Sequence, residues 1–441
     1  MEQEKNNDTK ISITELENNK AEFMKSYKDS CFDNHILKLF DKTGKEIIEH
    51  DEDGKWLEDL LLRLKCFFQE ILKLDTISFL FGTGSSIPLG SVSIYKIPEE
   101  ITNEIQDKGL KDIHEQLFSI SGDISLEEYL GNLIKFRTVA NKFNSIIKFD
   151  KNIKPGSIDN LIEIIKESLF TLCNVPNLEK IKGELYKNEP LFVHKEFIKK
   201  VLARPINLKR INIFTTNYDL AFEKTLDELG VLYIDGFVGN VTRMFKPEAY
   251  NYDYYFPATT TEGKVHRLDK VIHLYKLHGS LNWVECEPNS RNIFGIEQRS
   301  GKVEYNQSLL IYPQPMKEEE TLGFPYSEMI RRYASIIQQP QNVLISYGYG
   351  FGDEYINRII YNALSISTFQ LIVISFGWTE KIKEFYEKVK EDSRISFLIG
   401  SYLGDWYNFV MNILPDIKQL ESEEKILKTM RKLKGEDKEE E

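Results

Sequence analysis

The sequence predicts an α/β fold: a Rossmann-like, doubly wound and mostly parallel sheet with a large all-helical insertion and helical terminal extensions. Two observations indicate this class. Short runs of apolar, β-branched or aromatic residues alternate with stretches of helical periodicity, as in proteins with parallel sheets. Four of these runs end in a glycine-rich or polar turn, and open α/β sheets bind their ligands just beyond such strands.

The first elements follow from hydrophobic periodicity. Apolar residues recur at helical spacing over residues 56–74, which predicts an amphipathic helix. The apolar run at 77–81 then predicts a buried strand that ends at Gly82. Strand signals nearly vanish from residue 98 to residue 205, where helical periodicity dominates, so we interpret this stretch as a helical insertion between the first two strands of the sheet.

Strands and helices alternate again after the insertion. A strand at 211–214 leads to a helix from about Asp219 to Leu229, with Gly230 expected as a left-handed cap. The remaining predicted elements are strands at 271–277, 308–312, 342–347, 370–376 and 395–399 and a helix at 380–390. The aromatic-rich stretch between residues 236 and 270 predicts a surface excursion, in which local packing of rings is favoured over a base-stacking platform.

Composition disfavours several classes of function. The formal net charge of the 441 residues is -12, which disfavours direct binding of a nucleic-acid backbone. The four cysteines are widely separated, which predicts neither a disulfide framework nor a cysteine metal site. The amino terminus is polar, and no apolar run approaches the roughly 18 residues of a membrane helix. We therefore expect a cytoplasmic protein.

Four motifs at predicted strand ends carry the candidate chemistry, and each also has a purely structural interpretation. Glycines allow backbone amides to approach a pyrophosphate, but glycine turns after strands are common. Thr216 or Asn217 could cap the following helix, with Asp219 in its first turn, or line a ribose site. His278 suits a general base, whereas His266 and His273 are interpreted as structural. Asp353 could cap a helix or hold a ribose hydroxyl. The motifs are Gly82-Thr83-Gly84-Ser85-Ser86, Thr215-Thr216-Asn217-Tyr218-Asp219, Leu277-His278-Gly279-Ser280 and Gly348-Tyr349-Gly350-Phe351-Gly352-Asp353.

The order of these motifs resembles that of the sirtuins, which carry G-A-G-x-S, T-Q-N-x-D, an L-H-G turn and a late glycine-rich turn. The late motif, which continues to Asn357, is most similar to the G-Y-S-F-G-D-x-x-I-N pattern of sirtuin-like proteins of bacterial anti-phage defence. The resemblance covers residues of about 75–95 and 205–400. It departs from sirtuin deacylases in three ways: only Cys286 lies where they carry a four-cysteine zinc module, no arginine follows Ile87-Pro88, and Thr216 replaces a glutamine.

The resemblance implies an NAD⁺ hydrolase that depletes NAD⁺ during phage infection, with no zinc. It implies a homo-oligomer or a separate HerA-type hexameric ATPase as the regulator. Two alternatives remain open: an NAD⁺-dependent protein deacylase, which the missing zinc module disfavours, and a non-catalytic NAD⁺ or ADP-ribose-binding subunit. By resemblance, the catalytic residues are Asn217 and His278, and the NAD⁺-binding residues are Gly82, Thr83, Gly84, Ser85, Thr216, Asp219, Gly348, Gly350 and Asp353.

The predicted domain organisation follows the same divisions. The predicted segments are an N-terminal helical extension (1–74), a sirtuin-like NAD⁺-binding domain (75–97 with 206–402), the helical insertion (98–205), and a C-terminal helix with a charged tail (403–441).

Overall fold

The computed structural model describes residues 55–92, 97–121, 126–143, 147–148, 152–153, 155–181, 183–257, 265–301, 303–310 and 324–417. Most of the predicted N-terminal extension and the predicted charged tail lie outside these residues. The described chain divides into two compact units, one formed by residues 73–370 and the other by residues 55–72 with 371–417. No helix in these ranges is long and apolar enough to cross a membrane.

The helices and strands have the following bounds. The helices are α1 (Lys55–Leu72), α2 (Ile97–Glu104), α3 (Lys108–Ser121), α4 (Leu126–Phe143), α5 (Pro155–Cys173), α6 (Glu184–Asn188), α7 (Phe192–Val201), α8 (Ala221–Glu228), α9 (Tyr326–Ile337), α10 (Glu354–Leu364), α11 (Glu380–Val389) and α12 (Trp406–Asn408). The strands are β1 (Thr76–Phe81), β2 (Ile147–Lys148), β3 (Asn152–Ile153), β4 (Ile211–Thr215), β5 (Leu232–Ile234), β6 (Phe237–Val238), β7 (Arg243–Phe245), β8 (Tyr255–Pro257), β9 (Val265–Arg267), β10 (Val271–Lys276), β11 (Gly279–Glu285), β12 (Ile296–Gln298), β13 (Ser308–Leu310), β14 (Asn342–Tyr347), β15 (Gln370–Ser375) and β16 (Ile395–Ile399).

The predicted parallel sheet is confirmed. Within residues 73–370 its strands lie in the order β14-β1-β4-β10-β5, and each neighbouring pair is parallel. Phe81 pairs with both Thr215 and Tyr347, and Thr215 pairs with Lys276. Four strands therefore end at the same level, and the turns that follow them meet at one edge of the sheet.

Burial on both faces explains why these strands are largely apolar. Every residue of β1, β4 and β14 is buried, as expected for a parallel sheet covered on both sides. The ring of Phe81 lies 5.3 Å from that of Phe197 in α7 and 4.7 Å from that of Phe222 in α8. These contacts fix the helices that border the site against β1 and contribute apolar area to the core.

The insertion is helical, as predicted, and packs around its own core. The largest cluster joins α2, α4 and α5, with Tyr129, Leu130 and Ile162 fully or almost fully buried. One detail differs from the prediction, because the two-residue strands β2 and β3 form a small antiparallel pair between α4 and α5. Strands of this length leave no readable periodicity in the sequence.

A second sheet, which the sequence did not predict, follows the His-Gly turn. It is antiparallel, with the strand order β13-β11-β12-β7-β6, and its core contains Phe237, Phe245 and Trp283. The predicted strand at 308–312 was expected in the parallel sheet, but β13 pairs with β11 instead. Gly279, with a φ of 87°, turns the chain directly from β10 into β11, so no helix intervenes.

The other unit contains elements that the sequence predicted near the two ends of the chain. Helix α1 closely matches the amphipathic helix predicted for residues 56–74, and its Phe68 ring lies 5.5 Å from Phe409. Strands β15 and β16 are parallel, with Leu371 opposite Ile395. Helix α11 begins after Thr379, whose side chain accepts a hydrogen bond from the Ile382 amide at 3.2 Å, which satisfies one of the open amides of the first turn.

Candidate active site

The four sequence motifs meet at the carboxyl edge of the parallel sheet. Hydrogen bonds continue the strand pairing beyond the last strand residues: the Gly82 amide donates to the Tyr347 carbonyl at 3.0 Å, and the Thr216 amide donates to the Phe81 carbonyl at 3.0 Å. The Leu277 amide donates to the Thr215 carbonyl at 2.9 Å. These backbone hydrogen bonds hold the turns close together, together with the side chains that they carry.

Three of the predicted binding glycines pack against each other. A Cβ on Gly84 would lie 2.6 Å from the Cα of Gly348, and a Cβ on Gly82 would lie 2.5 Å from the Gly348 carbonyl oxygen. Gly348 also has a φ of 59°, a conformation that favours glycine. These glycines therefore allow two backbone turns to pack in contact. The sequence interpretation had instead expected the space beside the glycines to hold a pyrophosphate.

Gly350 and Gly352 differ from those three glycines. A Cβ at either position would meet nothing within 4 Å, and neither residue has a positive φ. The open side of the late turn therefore lies at residues 350–352, where a ligand could approach the backbone closely.

Asn217 connects the turn after β4 to the turn after β1. Its Nδ2 donates to the Gly82 carbonyl at 3.0 Å, to Ser86 Oγ at 3.0 Å and to Ser85 Oγ at 3.3 Å. The backbone amide of Asn217 donates to Thr215 Oγ1 at 3.0 Å. Because the amide nitrogen is engaged by the protein, the carbonyl oxygen Oδ1 is the atom of this side chain that is available to a ligand.

Ser86, in the turn after β1, links Asp219 to Asn217. Ser86 Oγ donates to Asp219 Oδ2 at 2.6 Å and accepts from Asn217 Nδ2. The helix cap predicted for Thr216 or Asn217 is wrong: α8 begins only at Ala221, whose amide donates to Asp219 Oδ1 at 2.9 Å. Thr216 instead places its hydroxyl 3.5 Å from the Phe81 carbonyl.

A buried ion pair supports this turn. Lys276 Nζ lies 3.2 Å from Glu223 Oε1, and the two side chains are only 2% and 7% exposed. Lys276 also donates a short hydrogen bond to the Asp219 carbonyl. Burial raises the pKa of Glu223, although the Lys276 ammonium opposes the shift. Neither residue was predicted as part of the site, although a lysine at the end of an otherwise apolar strand is a recognisable signal.

His278 lies directly after β10 and is almost completely buried. Its Nε2 is 2.5 Å from the hydroxyl of Tyr355 in α10 and 3.9 Å from Asp353 Oδ1. The ring of Tyr218 is 6.4 Å from the imidazole ring. Asp353 occupies the residue before α10, but its carboxylate makes no capping hydrogen bond there, so the capping role considered for it is wrong.

The late turn is held by Asn357, which the motif also includes. Asn357 Nδ2 donates to the Phe351 carbonyl at 2.8 Å, and the Tyr349 hydroxyl donates to the Asp353 carbonyl at 3.3 Å. These bonds fix Phe351 at a φ of 56°, which is unusual for a bulky residue. Backbone strain of this kind persists only where the surrounding contacts impose it.

The other histidines of this region have surroundings typical of structural residues. His273 is half-buried in β10, and desolvation lowers its pKa to about 4. His266 lies in the exposed β8–β9 hairpin, where its ring stacks on Phe256 at 5.5 Å. No group of three or more potential metal ligands occurs among the described residues.

Residues 211–398 match the family model described as "SIR2-like domain". This SIR2-like region spans under half of the chain and contains Asn217, His278 and the late turn. The first glycine turn precedes it, although Gly82 and Ser86 bond to Asn217 inside it. No curated protein matches the chain.

Two solved structures also resemble the chain. The first is described as the crystal structure of a Sir2 homolog–NAD complex; it is 12% identical, the alignment covers 81% of this chain and 94% of that one, and the TM-score is 0.39. The second, Sir2Tm bound to a propionylated peptide, is 10% identical, with 85% and 99% coverage and a TM-score of 0.31.

Proposed function

We propose that this protein hydrolyses NAD⁺ to nicotinamide and ADP-ribose. The observation that carries the proposal is the placement of Asn217 and His278 in turns that follow adjacent parallel strands, β4 and β10, whose ends lie in register. Ligands of open α/β sheets bind at this edge. A buried amide and a buried imidazole, each fixed by neighbours, are suited to chemistry that needs positioning more than strong acid.

The reaction makes modest demands on the protein. Nicotinamide in NAD⁺ is a cationic leaving group, so the bond between its nitrogen and ribose C1′ breaks with both electrons going to nicotinamide. Water forms the new bond to C1′ and gives up one proton. The protein must hold the ribose and the water in line and support positive charge at C1′.

Asn217 orients the ribose and the attacking water in this proposal. Its Nδ2 is already bonded to Gly82 and Ser86, so Oδ1 has a fixed direction and accepts a hydrogen bond from water or a ribose hydroxyl. His278 is the base that receives the proton, through a ribose hydroxyl or from the water. Asp353, with Oδ1 3.9 Å from Nε2, stabilises the imidazolium that results.

The proposed binding residues divide into two groups. Thr83, Thr216 and the open backbone at Gly350 contact NAD⁺ directly. Ser85 is fully buried and acts indirectly, through its hydrogen bonds with the Gly82 carbonyl and with Asn217. Gly82, Gly84 and Gly348 act by allowing the two turns to pack together, and Asp219 acts through Ser86 and Asn217. The family resemblance supports a role in anti-phage defence by NAD⁺ depletion in the cytoplasm, regulated by oligomeric assembly or a HerA-type ATPase, without zinc.

The test is nicotinamide release from NAD⁺ by the full chain, alone and with a HerA-type ATPase encoded by an adjacent gene. N217A and H278A should each lose at least about 100-fold in turnover, which is typical for removal of a base or a positioned dipole. H266A changes an exposed histidine outside the site and is the matched control. Unchanged turnover in both N217A and H278A, or no turnover by the wild type in either arm, would overturn the proposal.

A further inference from the structure

Tyr355 contacts the imidazole of His278 through its hydroxyl. Its hydroxyl is 2.5 Å from His278 Nε2, and it lies in the first turn of α10, two residues after Asp353. Tyr355 is 8% exposed and His278 is 3% exposed. Of the two residues, Tyr355 is therefore the more exposed.

The contact limits how His278 can act. A neutral imidazole has one nitrogen with a free lone pair, and the hydrogen bond made by the ring determines which one it is. When the Tyr355 hydroxyl donates to Nε2, that lone pair is occupied. A ribose hydroxyl or a water can then deliver its proton to Nε2 only by displacing the phenol or by passing through it.

Displacement is disfavoured by the packing of α10. Asn357, two residues further along the helix, bonds to the Phe351 carbonyl, and its backbone amide donates to the Asp353 carbonyl at 3.0 Å. The largely buried Tyr355 ring lies 6.2 Å from the imidazole ring. Tyr355 is only 8% exposed, so moving the phenol away from His278 would require neighbouring side chains to rearrange.

We propose that Tyr355 is a catalytic residue that relays the proton to His278; this rests on the hydrolysis proposed above. The phenol oxygen accepts the proton of the attacking water or of a ribose hydroxyl while the phenol proton moves to His278 Nε2. The water oxygen bonds to C1′ as nicotinamide leaves. One proton passes from water to imidazole, the phenol is regenerated, and nothing is oxidised or reduced.

The test compares Y355F with Y333F. Both substitutions remove only a hydroxyl, and the Tyr333 hydroxyl has no hydrogen-bond partner within the described part of the chain. The relay predicts that Y355F lowers kcat by about 100-fold or more and alters the pH profile of kcat, while the variant stays folded and its affinity for NAD⁺ is unchanged. Y333F should behave as the wild type. A Y355F/H278A double variant should be no slower than H278A, because the two groups act as one unit.

The outcomes separate this inference from the proposed function. If the wild type releases nicotinamide and Y355F does so equally fast or faster, the relay is wrong and the hydrolase proposal stands. A Y355F defect that appears only in KM or Tm, with kcat and its pH profile unchanged, would also contradict the relay. If neither the wild type nor the complex with the ATPase turns over NAD⁺, both proposals fail together.

Discussion

Lys276 Nζ and Glu223 Oε1 lie 3.2 Å apart in a buried ion pair beneath the turn that carries Asn217. The same ammonium donates to the Asp219 carbonyl. It thus joins the strand before His278 to the turn after β4. Buried ion pairs contribute little net stability compared with apolar residues, but removing one partner leaves an unpaired buried charge. We therefore expect loss of the ion pair to lower stability, and loss of the Lys276 hydrogen bond to change the geometry of the site.

Substitution of Lys276 should affect both the stability of the protein and its activity. K276M leaves Glu223 unpaired and should lower the free energy of unfolding by about 3–5 kcal/mol, as measured by urea denaturation at pH 7. The double variant K276M/E223M should recover most of that stability because neither charge of the pair remains. Its kcat should stay below that of the wild type because the Asp219 carbonyl has lost its donor. Equal instability of the single and double variants would contradict this account.

Substitution of glycine by alanine should have different effects at Gly84 and Gly350. G84A places a Cβ against Gly348 and should cost about 1–3 kcal/mol by overpacking, measured as a lower Tm. G350A enters open space without conformational strain, so its Tm should match that of the wild type. Its KM for NAD⁺ should rise by about tenfold, which corresponds to roughly 1.4 kcal/mol of lost binding. A G350A variant with wild-type KM would remove residues 350–352 from the ligand site.

Stability should decrease below neutral pH in part because of His273. Its pKa is about 4 in the folded protein, against 6.5 for an unperturbed histidine. The unfolded chain therefore binds a proton as pH falls through 6.5, while the folded chain does not until about pH 4. The resulting loss of stability develops between these values. Urea unfolding at pH 7 and pH 5 should show a smaller loss for H273L than for the wild type, and equal losses would show that His273 does not contribute.

The parallel sheet was predictable because its strands are long, buried runs bordered by turns. The bounds of β14 and β16 match the predicted residues, and Gly230 adopts the expected left-handed conformation with a φ of 63°. The antiparallel sheet was not predictable, because β6, β7, β12 and β13 contain two or three residues each. Pairing across the sheet, rather than local periodicity, defines such short strands.

In the candidate site, too, some residues could be predicted from the sequence and others could not. Asn217 and His278 could be identified because they stand at the ends of predicted strands. Ser86 and Tyr355 gain their roles only through contacts with residues 131 and 77 positions away, which no local pattern reports. The glycines predicted to bind a pyrophosphate lie at the carboxyl edge of the sheet, but the space beside Gly82 and Gly84 is filled by Gly348.

The most direct measurement is the product balance of NAD⁺ incubated with the full chain, alone and with the HerA-type ATPase proposed as its partner, without any acylated peptide. The account predicts one nicotinamide and one ADP-ribose for each NAD⁺ consumed by the wild type, and loss of both products in H278A. Products that form only when an acyl-lysine peptide is added, or binding of NAD⁺ without turnover, would contradict it.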